Sequence, residues 1–141
     1  MLPLLTVCHP SPAAAANWVP ITNDGKSTWV FVDSSSVQLT GAHAKAWFLL
    51  DYGGTSPVPG ANPPATAMSE KDLDMFNCDE RTYGSVQQTY LAEAAGSGKV
   101  VLTRSVPPTA VYYTDVVPDS MGEVMLSFVC AGRHPKKGAS M

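Results

Sequence analysis

The chain has 141 residues, 45% of them hydrophobic and 15% charged, with a formal net charge of −3. That length suits one domain with a modest core. Its sparse, nearly balanced charge gives no electrostatic reason to expect nucleic acid or an anionic membrane as partner, and no apolar run reaches the roughly 20 residues that a bilayer-spanning helix needs.

The first residues read as an export leader, 1–16. Leu4-Leu5-Thr6-Val7-Cys8 is a short apolar core, and Pro10-Ser11-Pro12 leads into Ala13-Ala14-Ala15-Ala16, a small-residue cleavage site. No Lys or Arg precedes Leu4, so the alternative is a cytosolic leader, and Val7 makes Cys8 a poor lipid-attachment site. Cleavage after Ala16 leaves Asn17 as the start and an even pair of cysteines, Cys78 and Cys130. An exported chain with one even pair is expected to carry a disulfide. In a reducing compartment the same residues would be free buried thiols.

Trp18 to Ile21 is a short β run that Pro20 places at an edge. Asn23-Asp24-Gly25-Lys26-Ser27 has the chemistry of a tight turn. Thr28 to Asp33 is β-branched and aromatic on both faces, so it predicts a buried central strand, and Ser34-Ser35-Ser36 turns the chain. Ala42 to Tyr52 alternates, with Ala44, Ala46, Phe48, Leu50 and Tyr52 on one face. Residues 53–68, rich in Pro, Gly, Ala and Ser, predict a long exposed loop. Leu73 to Cys78 is expected to be a strand, with a short helix capped by Ser69 as the alternative, and Tyr83 to Leu91 its hairpin partner. After the turn at Gly96-Ser97-Gly98 comes a strand, Lys99 to Arg104.

The last element is the clearest. Ser120 and Glu123 form an S-x-x-E capping box. Met121, Val124, Met125, Phe128 and Val129 follow helical spacing on one stripe, and Gly132 offers a left-handed stop. The domain is thus expected over 17–132, with 133–141 a frayed tail. The fold class is α+β: an antiparallel meander of about five to six strands with a C-terminal helix packed on it and one disulfide. Tying Cys130 at the helix end to Cys78 at a strand end would be worth about 4 kcal/mol in the chain-entropy model.

Four stretches in order resemble the surface-adhesin E-like domain family of Gram-negative bacteria. They are Phe31-Val32-Asp33-Ser34-Ser35-Ser36-Val37, Ala44 to Tyr52, Met75-Phe76-Asn77-Cys78-Asp79-Glu80-Arg81, and Val117-Pro118-Asp119-Ser120-Met121-Gly122-Glu123 running on to Cys130. The resemblance implies a small exported domain, a Cys78–Cys130 disulfide, and binding of host proteins such as vitronectin, laminin and plasminogen, with dimerisation. Tyr112-Tyr113 stand where relatives often have Trp.

Other constellations are rejected. Gly96-Ser97-Gly98-Lys99 lacks a phosphate loop's flanking Gly and Ser/Thr, since Glu93 and Val100 stand there. His9, His43 and His134 are scattered, so no zinc set is expected and His43 reads as a surface strand residue. The serines after Asp33 lack a nucleophile elbow. Asp72, Asp74, Asp79 and Glu80 have no EF-hand spacing and read as a solvated hairpin. Trp29 and Trp47 are expected in the core. Tyr112 and Tyr113, pointing opposite ways in an extended segment, are candidate partner contacts. No catalytic residue, metal or cofactor is assigned. The expected function is an exported binding module, not an enzyme, acting in the periplasm or at the outer-membrane surface. It would use a sheet edge or the 53–68 loop on a protein partner or on a second copy of itself. A periplasmic structural or accessory protein is the alternative.

Overall fold

In the computed structural model, which describes residues 15–133, every strand pairing is antiparallel and all strands join one sheet. The strands are β1 (Trp18–Asn23), β2 (Trp29–Asp33), β3 (Gln38–Thr40), β4 (His43–Pro57), β5 (Thr66–Asn77), β6 (Thr82–Leu91), β7 (Val100–Ser105) and β8 (Thr114–Asp115). The helix α1 (Met121–Val129) closes the described chain. The strand order is β1-β2-β4-β5-β6-β7, with β3 also on β4 and β8 also on β6. That is eight strands where five or six were expected. The two additional ones, β3 and β8, are three and two residues long, too short to leave a periodic signal. The leader up to residue 14, with Cys8 and His9, and the tail from residue 134, with His134, lie outside the described residues.

Turn chemistry sets the β1–β2 hairpin. Asp24 Oδ1 accepts from the backbone N–H groups of Lys26, Ser27 and Thr28 at 2.8, 2.9 and 3.1 Å, while Gly25 takes φ +75°. Asp33 likewise caps the serine turn, accepting from Ser35 N and Ser35 Oγ. The expected 53–68 loop is mostly strand instead. β4 runs on to Pro57 and β5 begins at Thr66, so the connection shrinks to residues 58–65. Pairing of Ser56 with Ala67 and Pro57 with Thr66 supplies the ladder bonds that outweigh the poor strand propensity of Gly53, Gly54 and Pro57. Ser69 to Cys78 is strand rather than capped helix, from Thr66 to Asn77.

One sheet face carries the core. Val30, Val32, Ala44, Ala46, Phe48 and Phe76 are buried with Met125, Leu126 and Val129 of α1 and with Val116. The Phe48 and Phe76 rings meet at 5.8 Å, and Phe76 stacks on Tyr83 at 5.7 Å. The opposite face is only partly covered, in part by the turn at residues 94–96, which lies against Leu49 and Lys71. β2 is therefore not buried on both sides. Trp29 is 47% exposed and Trp47 is half-buried, so neither belongs to the core. Both stand at odd positions, on the face away from the helix.

At the start of α1, Ser120 Oγ accepts from Glu123 N at 3.3 Å. The reciprocal bond is displaced by one residue: Glu123 Oε2 accepts from Asp119 N at 2.7 Å. At its end, Gly132 is not left-handed. The helix stops at Cys130, with φ −94° and ψ 3°, where the side chain is covalently held. Cys78 and Cys130 are bonded, with Cα atoms 5.8 Å apart. Arg133, expected to begin a loose tail, is fixed beside this staple. Its Nε and Nη2 donate to the two carboxylate oxygens of Asp79 at 3.0 and 2.7 Å.

Candidate partner-binding edge

The two outer strands differ in what they offer. β1 carries Pro20 and a register break between Pro20 and Thr22, and α1 packs near it. Proline and a bulge both blunt an edge. β7 has no proline, although its ladder with β6 also breaks register at Val101, and among the described residues it is paired on one side only, through β6. Its residues Val100 and Thr103 are exposed, Val100 by 57%. Alternate main-chain N–H and C=O groups of β7 thus face outward without a strand partner.

Beyond β7 the chain passes Pro107 and Pro108 and returns along β6 to form β8. Gly84 permits this return. A Cβ there would lie 2.6 Å from Val111 Cγ1, closer than packing allows. The returning segment presents Tyr112 to solvent at 83% exposure, while Tyr113 is half-buried and its phenol is raised by burial. The adjacent tyrosines do face different surroundings, as their extended spacing predicts. Val106, 41% exposed, lines a shallow groove of about 150 Å³ with Ser85, Gln88, Arg104 and Ser105. Tyr112, Val106 and the β7 edge together form an apolar, hydrogen-bonding strip on one side of the sheet.

His43 is an exposed strand residue at the start of β4, separated from the β8 segment by β5 and β6. Among the described residues no set of three His, Cys, Asp or Glu side chains could hold a metal ion, and no helix is long and apolar enough to cross a membrane.

One set of side chains corrects the sequence reading. Asp72 and Asp74 are not on a solvated hairpin; they are 5% and 2% exposed, and Glu70 is 9% exposed. Only Asp79 and Glu80 are exposed. Register explains this: Glu70, Asp72 and Asp74 stand opposite Leu50, Phe48 and Ala46 of β4, on the helix-bearing face. The period-2 pattern of β5 held the clue, because Asp72 and Asp74 share a face with Phe76.

A family model for surface-adhesin protein E matches residues 18–131. The chain belongs to the surface-adhesin protein E family. Among solved structures, protein E of Haemophilus influenzae is similar in fold. One crystal form superposes with a TM-score of 0.57 at 15% identity, covering 89% of this chain and 94% of that one. The protein from a non-typeable strain gives 0.55 at 16% identity, covering 88% and 82%. At that identity the likeness concerns the fold alone. No curated protein matches the sequence.

Proposed function

We propose that this member of the adhesin family is an exported module that captures extended protein segments along its β7 edge, with Tyr112 as an aromatic anchor beside it. The observation that carries this reading is a single-sided β7 followed, on the segment that returns along β6, by a tyrosine that is 83% exposed. An added strand would take its affinity from main-chain hydrogen bonds and its selectivity from side-chain contacts. An exposed tyrosine supplies large contact area at low entropic cost. The disulfide keeps the scaffold rigid, which lowers the ordering penalty of binding. Host vitronectin, laminin and plasminogen are the first partners to test, and a second β7 is the edge on which a homodimer would form. Placement at the outer surface or in the periplasm follows from the family as a further part of the proposal.

Surface plasmon resonance with the oxidised protein tests it. At least one of the three host proteins should bind saturably, and Tyr112→Ala and Val100→Lys should each weaken that binding at least about tenfold, or 1.4 kcal/mol. Unchanged affinity in both variants sinks the edge. No saturable binding to any of the three, with the protein resistant to protease applied to whole cells, favours a periplasmic accessory role instead.

A further inference from the structure

The buried carboxylates of β5 have no place in the adhesive reading. Glu70, Asp72 and Asp74 project from alternate positions onto one face, two residues apart, and all three are almost fully enclosed. Like charges so placed oppose one another unless a cation or a proton intervenes. Among the described residues no cationic side chain is engaged with them. The lysines nearest in register, Lys45 and Lys71, stand at odd positions and face the other way. Arg104, across Gln88 from Asp72, donates to the Pro59 carbonyl and lies over the Tyr90 ring at 5.8 Å.

The remaining neighbours are neutral. From β4, Tyr52 Oη donates to Glu70 Oε2 at 2.5 Å. From β6, Tyr90 stands opposite Glu70, Gln88 opposite Asp72, and Ser85 Oγ donates to Asp74 Oδ1 at 2.6 Å. From α1 the buried groups are Met125, Leu126 and Val129, none of them titratable. Asp72 stands two residues from Glu70 on the same face, and among the described residues its buried Oδ1 has no hydrogen-bond partner. Burial first, then the charges of Glu70 and Asp74, push Asp72 up to about 10. Burial pushes Asp74 up to about 7 against the opposing bond from Ser85.

The ladder adjoins a second apolar cluster. Val58, Ala67 and Tyr90 are buried there, with Tyr52 and Ala61 packed against them. Tyr52 and Tyr90 therefore touch Glu70 on one side and hold the 58–65 connection on the other. That connection is otherwise closed by Val58 N donating to Ala65 O at 2.9 Å and by the Arg104–Pro59 contact.

We propose that Glu70, Asp72 and Asp74 form a proton-operated latch: while protons are held along the ladder the 58–65 connection is closed over Tyr52 and Tyr90, and their loss opens it. The sign follows from linkage. Both aspartates have folded values above the ordinary 3.8. Their contribution to stability is complete below that value and is lost as pH rises, through about 7 for Asp74 and about 10 for Asp72. Asp24 and Asp33 shift the opposite way, so their effect falls at more acidic pH. Tyr52, Tyr90 and Tyr113 are raised above 10 and stay neutral at pH 9.

The test is a side-chain carboxyl ¹³C NMR titration of the oxidised protein from pH 3 to 9, with the amides of Ala61 and Asn62 followed in the same spectra. Asp74 should titrate near neutrality, Asp72 should remain protonated beyond it, and the two amides should shift with the Asp74 midpoint. The melting temperature should fall by at least about 5 °C between pH 5 and 9. Asp72→Asn should flatten that fall, by removing the Asp72 contribution, and leave the Asp74 midpoint near neutrality. Aspartates that all titrate below pH 5, or loop amides that ignore the titration, overturn the latch. So does a calcium-dependent rise in melting temperature at pH 8, which would assign the orphan oxygen to a cation. If Asp72→Asn does not fold, the wild-type titration decides alone.

Discussion

The two halves of the helix-bearing sheet face are held together by opposite means. Near β2 and the end of β5, Val30, Val32, Phe48 and Phe76 pack under α1, and the Cys78–Cys130 bond fixes the helix end. Two to six residues before Phe76 on β5 the same face carries Glu70, Asp72 and Asp74, enclosed with no cationic side chain engaged among the described residues. The first half is dry, covalently tied and indifferent to pH in the neutral range. The second depends on hydroxyl donors and protons. One strand thus joins a fixed half to an adjustable one, and the neighbour of each residue decides which half it belongs to.

Three substitutions sharpen that contrast. Cys130→Ser removes the staple and should cost about 4 kcal/mol. Denaturant unfolding of the variant should match that of the reduced wild-type protein. Leu126→Ala, at 2% exposure the most enclosed large side chain of α1, should cost about 3 kcal/mol by leaving a cavity, with no change in loss between pH 5 and 8. Tyr52→Phe removes the hydroxyl that Glu70 accepts from and should cost about 2 kcal/mol, the scale for leaving a buried acceptor without its partner. Its loss, unlike that of Leu126→Ala, should vary with pH when thermal melts are run across the same range. Equal pH profiles for these two variants would erase the distinction between the halves.

The halves also differed in how far they could be read from residues alone. The helix was plain, because Ser120, Glu123 and the apolar stripe combine a start signal with a period. The staple was anticipated from an even cysteine pair and from resemblance. The β7 strand, and the opposite settings of Tyr112 and Tyr113, followed from local pattern. What stayed hidden depends on pairing across the sheet. Gly53 to Pro57 have loop composition, yet β5 recruits them as strand. Trp29 looks like a core residue, yet its position on the far face leaves it 47% exposed. Asp72 and Asp74 look solvated, yet register with Phe48 and Ala46 encloses them. Composition describes a residue's preference, whereas burial in a sheet is set by the parity of its position.

The cysteine bridge also determines how the molecule responds to mechanical load. It spans a sequence separation of 52, so β6, β7, β8 and α1 all lie inside a covalent ring. Tension entering through β1 and leaving after Cys130 runs across the sulfurs and bypasses that ring. About 180 Å of contour is thereby withheld from extension, and β7 lies off the line of load while the chain before Cys78 is pulled.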